Sequence, residues 1–187
     1  MESVTDQTEE TIEQPVLIER GIYKYSKQIP KELAGSTPET IKDIYIPVNA
    51  KHPQIRIRSR GDKMEITKKL PLVDGDASEQ IERTIPLSDA EYVALSQIDG
   101  KVIEKDRYKV EIDGHHAEVD VFKGDLEGLV LIDFEFQSRE EMEQFTMPAC
   151  ALADVTQAGF IAGGLLAGKS IDDILTQLQE YGYKLLA

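Results

Sequence analysis

Arg56, Arg58 and Arg60 occupy alternate positions in the run Gln54-Ile55-Arg56-Ile57-Arg58-Ser59-Arg60. Successive side chains of a β-strand point to opposite faces, so the three guanidiniums share one face and Ile55 and Ile57 share the other. Like charges aligned in this way repel one another. A multiply charged anion held among them would offset that repulsion, because a planar guanidinium grips phosphate oxygens with two parallel hydrogen bonds.

The same alternation recurs along the chain. Lys105, Arg107, Lys109 and Glu111 alternate with Tyr108, Val110 and Ile112. Glu65, Thr67 and Lys69 share one face of their run, and Glu82 and Thr84 that of theirs. Glu118 and Asp120 alternate with Ala117, Val119 and Val121, and Asp133 and Glu135 with Ile132, Phe134 and Phe136. Half-buried antiparallel strands normally turn their polar face to water. Here some polar faces are cationic and others anionic, a division that suggests they confront one another across a shared cavity. The pattern predicts an α+β domain: an eight-stranded antiparallel sheet closed into a barrel, with charge inside and helices on an aliphatic exterior. Burying so many charges is unfavourable without opposed charges, metal ions or a bound polyanion.

Composition narrows the classes of function. The chain has 187 residues, enough for one well-packed domain, and a formal net charge of −14, which argues against non-specific binding to nucleic acid. The first fourteen residues hold Glu2, Asp6, Glu9, Glu10 and Glu13 and no Lys or Arg. Residues 1–14 are expected to be a disordered acidic tail, and 15–187 the folded domain. No run is long or apolar enough for a membrane helix, and no signal peptide is recognisable. Cys150 is the lone cysteine, which excludes an internal disulfide and points to a reducing cytoplasm.

The elements that would position the charged rows follow from local signals. Gly61-Asp62 and Asp113-Gly114 predict tight hairpins. Ser88, Ser138 and Ser170, each followed three residues later by an acid, predict helix starts, and 157–167 reads as helical. His52, His115 and His116 read as loop or turn residues without zinc-ligand spacing. Phe160, Leu165 and Leu166 read as packing core. Gly163-Gly164-Leu165-Leu166-Ala167-Gly168-Lys169-Ser170 satisfies the phosphate-loop pattern literally. That loop needs a buried strand before its first glycine, and 156–162 reads as helix, so the match is taken as coincidental.

Taken in order, these segments resemble the CYTH domain of the triphosphate tunnel metalloenzymes, a family that includes inorganic triphosphatases, thiamine triphosphatases and class IV adenylate cyclases. The resemblance spans Ile18-Glu19-Arg20, Arg56 to Lys63, Ile66 to Lys69, Glu82, Lys105 to Tyr108, Glu118 to Phe122 and Gly128 to Phe136. It implies that Arg56, Arg58, Arg60, Lys69, Lys105 and Arg107 bind the triphosphate of a small molecule. It also implies that Glu19, Glu82, Glu118, Asp120, Asp133 and Glu135 form a pool of ligands for Mg²⁺ or Mn²⁺, with Glu19, Asp133 and Glu135 nearest the chemistry. Hard divalent ions favour such oxygen donors.

One motif departs from the family. Its first strand carries E-x-E-x-K, whereas this chain has Leu17 at the first Glu and Gly21 at the Lys, leaving Glu19 alone. Lys24 would face the opposite side of a regular strand. The activity implied is metal-dependent hydrolysis of inorganic or organic triphosphate. The alternatives are a class IV-type cyclase and a module that binds polyphosphate or nucleotide without turnover. Oligomeric state stays open, a homodimer among the options.

Overall fold

The computed structural model describes residues 17–26 and 28–186, with side chains from Ser26 onward. The acidic leader, residues 1–14, lies outside them. Nine strands form one antiparallel, curled sheet: β1 (Leu17–Ser26), β2 (Glu39–Ile46), β3 (Ile55–Arg60), β4 (Lys63–Pro71), β5 (Glu79–Leu87), β6 (Lys101–Ile112), β7 (His115–Phe122), β8 (Val130–Glu135) and β9 (Ala151–Asp154). Their order is β5-β4-β3-β2-β6-β7-β8-β1-β9. In addition, β1 pairs with β5 from Leu17↔Glu82 to Arg20↔Glu79, which brings the far ends of the row together. The helices are α1 (Asp89–Leu95), α2 (Arg139–Gln144), α3 (Gly163–Leu166) and α4 (Ile171–Glu180), joined by 3₁₀ turns at Lys31–Leu33, Gly124–Leu126 and Gly159–Ile161.

The α+β class agrees with the sequence; the count of eight strands does not. The ninth, β9, is a four-residue addition along β1. Its Ala-Leu-Ala-Asp sequence carries no β-branched residue, so pattern alone gives it no strand signal.

Hairpin chemistry sets the register of the charged rows. β3 and β4 are joined by Gly61 and Asp62 alone, with Gly61 at φ 56. β6 and β7 turn at Asp113 (φ 51) and Gly114 (φ 83), the two positive values a type I′ turn requires. Ser88 and Glu91 form a reciprocal capping box at the start of α1, and Ser170 and Asp173 do the same for α4. The Ser170 hydroxyl therefore serves a helix cap. A 3₁₀ turn occupies Gly159–Ile161, where a phosphate loop would need a strand, so the glycine-rich pattern has no phosphate-loop context.

The helix expected over 157–167 is reduced to that turn and to α3. Glycine is a poor helix former, and Gly163 and Gly164 serve close approach instead. A Cβ on Gly163 would lie 2.0 Å from the Tyr45 hydroxyl, and one on Gly164 2.3 Å from the Pro53 carbonyl oxygen.

Two apolar clusters hold the fold together. One covers the outer face of β7 and β8, where Val119, Val130, Ile132 and Phe134 pack with Leu33 and against Met142 and Phe145. The other closes an end of the curled sheet. Ile103, Phe122 and Leu131 share the face of Lys105, Asp120 and Asp133 on their strands, so they point inward. They pack with Ile161, Leu166, Ile174 and Leu178. The expectation of helices on the exterior holds for α2, whose Met142 packs on the outer cluster, and is revised for the C-terminal segment, which caps one end of the charged interior. Leu166 is fully buried in that cap. Leu166→Ala should lower unfolding free energy by about 2–4 kcal/mol through transfer and cavity terms. Urea denaturation checks this, and a loss under about 0.5 kcal/mol, as on an open surface, would contradict it.

Candidate functional site

A cavity of about 610 Å³ runs through the curled sheet, lined by Asp43, Arg56, Arg58, Arg60, Glu65, Lys69, Glu82, Lys105, Arg107, Glu118, Asp120, Asp133 and Glu135 among others. Cross-strand register decides what each charge meets. Asp43 on β2 lies opposite Arg58 on β3, and Glu65 on β4 flanks Arg58 from the other side. Lys69 lies opposite Glu82, and Arg107 opposite Asp120. Opposite charges in facing positions stabilise a ladder, and like charges destabilise it.

The cationic side is graded by how fully its members are engaged. Arg58 is buried and donates Nε to Asp43 Oδ1 at 2.7 Å and Nη2 to Oδ2 at 2.8 Å. Burial opposes ionisation of Asp43, yet Arg58, helped by Arg56 and Lys105, holds its carboxyl down at about 2. Arg107 donates Nε and Nη2 to Asp120, both at 2.7 Å, and Nη1 to Glu118. Lys105 also donates to Asp120. Despite burial, these two cations hold the Asp120 carboxyl far below the usual range. Burial is also the main reason that Lys105 drops to about 8, with Arg107 and Arg58 adding to it. Lys69 pairs with Glu82 at 2.7 Å.

Arg56 and Arg60 are held more loosely. Each approaches a carboxylate only at 3.9 Å, Asp43 and Glu39 respectively. Both have a buried Nε with no hydrogen-bond acceptor among the described residues. They are the donors most available to an anion.

The anionic side breaks the pattern of opposed charges. Glu118 on β7 stands directly opposite Asp133 on β8, and Glu135 follows two positions along the same face. One carboxylate oxygen from each lies within 4.8 Å of the others. Asp133 is buried, and its Oδ1 has no hydrogen-bond partner among the described residues. Burial pushes its carboxyl up to about 7; Arg107 and Lys69 oppose the rise, while Glu118 and Glu135 add to it. Three converging carboxylates with an orphan buried oxygen match the donor set of a hard divalent cation. A bound Mg²⁺ or Mn²⁺ therefore fits these residues.

The sequence-predicted residues thus separate. Arg56, Arg58, Arg60, Lys69, Lys105 and Arg107 all line one cavity with Glu82, Glu118, Asp120, Asp133 and Glu135. Asp120 is engaged by Lys105 and Arg107, and Glu118 by Arg107 and by Lys109 at 3.2 Å, while Glu118, Asp133 and Glu135 also converge on one another. Glu19 pairs with Gln80 in the β1–β5 register; its side chain lies outside the described set. In the β1–β8 register Lys24 pairs with Ile132 and Gly21 with Glu135. His115 and His116 open β7 instead of lying in the turn, and His115 sets its ring edge-on to Phe136 and Phe145. Cys150 is half-buried beside the outer cluster, and burial pushes its thiol up.

Two cavity-lining residues escaped the sequence reading: Asp43, which anchors Arg58, and Tyr45, which shares its face. Their signal was present, since Asp43 and Tyr45 alternate with Ile44 and Ile46. Among the described residues, no helix is long and apolar enough to cross a membrane.

No protein-family model matches the chain. A stretch of 85 residues is 35% identical to an inorganic triphosphatase of Acetivibrio thermocellus, covering 46% of this chain and 54% of that protein. The chain thus spans about half the length of the curated relative it matches. The crystal structure of the inorganic triphosphatase NE1496 superimposes with a TM-score of 0.59 at 22% identity, over 80% of this chain and 93% of that one. A second NE1496 structure, described as a hypothetical protein, gives 0.60 at 23% identity over 81% and 99%. These two likenesses show a common fold.

The Asp133 carboxyl yields a pH prediction. An unperturbed aspartate titrates at 3.8 and Asp133 in the fold at about 7, so between those values the native state holds the extra proton. Stability therefore falls as pH rises through this window, and the loss is complete above the folded value. Metal-free protein should lose thermal stability between about pH 5 and pH 8, Asp133→Asn should flatten that slope, and Mg²⁺ should stabilise the native protein more at the alkaline end. Superimposable melting curves for the two proteins across that range would contradict the assignment.

Proposed function

We propose that the chain is a member of the CYTH, or triphosphate tunnel metalloenzyme, family and that it hydrolyses a triphosphate inside a charged tunnel formed by the curled sheet, a reading supported by the likeness to inorganic triphosphatases. The observation that carries this reading is the division of one cavity into a cationic wall with unsatisfied guanidinium donors and a wall of converging carboxylates. A triphosphate carries several negative charges, so the first wall attracts it; the second repels it unless a cation intervenes.

In this reading Arg56 and Arg60 grip phosphate oxygens directly, Arg58 and Arg107 supply fixed positive charge, and Lys69 and Lys105 supply point charges beside them. Asp43 and Asp120 are positioning residues that hold Arg58, Arg107 and Lys105 in place. Glu118, Asp133 and Glu135 would hold Mg²⁺ or Mn²⁺, with Glu19 contributed from β1. When bound, such an ion neutralises charge on the transferred phosphoryl group and activates the attacking water. The fixed guanidiniums would stabilise charge developing on the departing diphosphate (pyrophosphate when the substrate is the inorganic anion), at no reorganisation cost during the reaction.

A second reading, anion binding without turnover, is favoured by the first strand. Leu17 and Gly21 stand where the family carries its first Glu and its Lys, and these positions pair with Glu82 and Glu135. Cyclic AMP formation from ATP would mark the cyclase alternative.

Phosphate release from inorganic triphosphate and from ATP, with Mg²⁺, Mn²⁺ or EDTA, separates these readings. Metal-dependent release is expected, with Arg56→Ala lowering kcat/KM by roughly 10- to 100-fold while the fold is retained. Arg58→Ala should instead destabilise the protein by about 3–5 kcal/mol, since it leaves Asp43 buried without its partner. Tight triphosphate binding without phosphate release would establish the binding module instead.

A further inference from the structure

The capped end of the cavity differs from its charged middle. Beyond Arg56 and Lys105 the lining turns to Tyr45, Leu131, Ala158, Ile161, Ala162 and Leu165. Leu165 and Leu166 both border the cavity, but Leu166 is fully buried within the apolar cluster, whereas Leu165 is half-buried and outside that cluster. The cap is fastened at its rim. Gln157 donates to Asp76 at 2.9 Å and accepts from the Ala77 amide at 3.1 Å, tying the β4–β5 loop to the segment after β9. Its inner side is brought against the sheet by Gly163, where any Cβ would strike Tyr45.

From this arrangement we infer that the apolar end is a subsite for the organic group of a triphosphate ester, and that Leu165 and Ile161 on the cap determine specificity. The inference rests on the triphosphatase reading and names its substrate class: a triphosphate carrying a ring-bearing organic group, in preference to the bare inorganic anion. Size and polarity both support it. At about 610 Å³ the cavity falls within the range of sites for drug-sized organic ligands, roughly 300–1,000 Å³. A bare triphosphate would occupy the charged middle and leave water against Leu131, Ile161 and Leu165. An organic group displaces that water, and the apolar area it buries adds affinity that the inorganic anion cannot gain. Continuity with the cationic wall sets the orientation: phosphates lie among Arg56, Arg58 and Arg60, and the organic end points toward the cap.

The test compares kcat/KM for ATP with that for inorganic triphosphate in the wild-type protein and in Leu165→Trp, which fills the apolar end. The wild type should favour ATP, and the variant should lose about tenfold or more on ATP while keeping its rate on inorganic triphosphate. Leu165→Ala provides a second arm should the larger side chain perturb folding; it too should weaken use of ATP alone. Parallel losses on both substrates, unchanged use of ATP, or wild-type preference for the inorganic anion would overturn the inference. If neither substrate is turned over, the hydrolase reading fails separately. Equilibrium dialysis of the same two anions then decides the subsite, with tighter wild-type binding of ATP expected and equal binding contradicting it.

Discussion

Charge removed from water must find charge of the other sign, and that constraint organises this protein. A row of arginines inside a curled sheet is tolerable because β2 supplies Asp43 opposite Arg58 and β7 supplies Asp120 opposite Arg107. Each pair is bidentate, which fixes both partners in direction as well as place. Such pairs add little net stability over an apolar core, but losing one partner leaves a buried charge uncompensated and is costly. The sheet is thereby committed to its register: a slip of one residue would turn every one of these charges outward.

The pairing is incomplete in two places, and both lie in the cavity. Arg56 and Arg60 each retain a buried Nε without an acceptor among the described residues, while Glu118, Asp133 and Glu135 converge around an Asp133 Oδ1 that has no hydrogen-bond partner there. An interior with surplus donors on one wall and surplus acceptors on another is poised for a ligand that presents a polyanion to the first and a divalent cation to the second. Burial is the main cause of the rise of Asp133 to about 7, and the neighbouring Glu118 and Glu135 add to it. The apolar cap completes the picture by limiting water at one end, which strengthens the electrostatics within.

Much of this was legible in the sequence, for a physical reason. Alternation with period two is a local property, so the charged faces of β3, β4, β6, β7 and β8 could be read directly, as could the hairpins at Gly61 and Asp113. The three arginines looked equivalent because their spacing is equivalent. Their separation into one clamped residue and two available ones depends on β2, whose Asp43 comes from a strand that also pairs with the distant β6. Nor could spacing show that Asp120 is neutralised while Asp133, in an otherwise similar alternation, is not; neighbouring strands decide it. The cap was hidden because Gly163 and Gly164 act through close approach to Tyr45, His52 and Pro53, contacts that depend wholly on tertiary structure.

The central claim is that the two walls act together, one holding the anion and the other the metal. Electron paramagnetic resonance of Mn²⁺ titrated with the protein, with and without inorganic triphosphate, tests it most directly. The account predicts bound Mn²⁺ whose affinity rises when triphosphate is present, an effect lost in Glu118→Gln/Asp133→Asn and weakened in Arg56→Ala. Free Mn²⁺ at all protein concentrations, or binding indifferent to both the acidic substitutions and triphosphate, would contradict it.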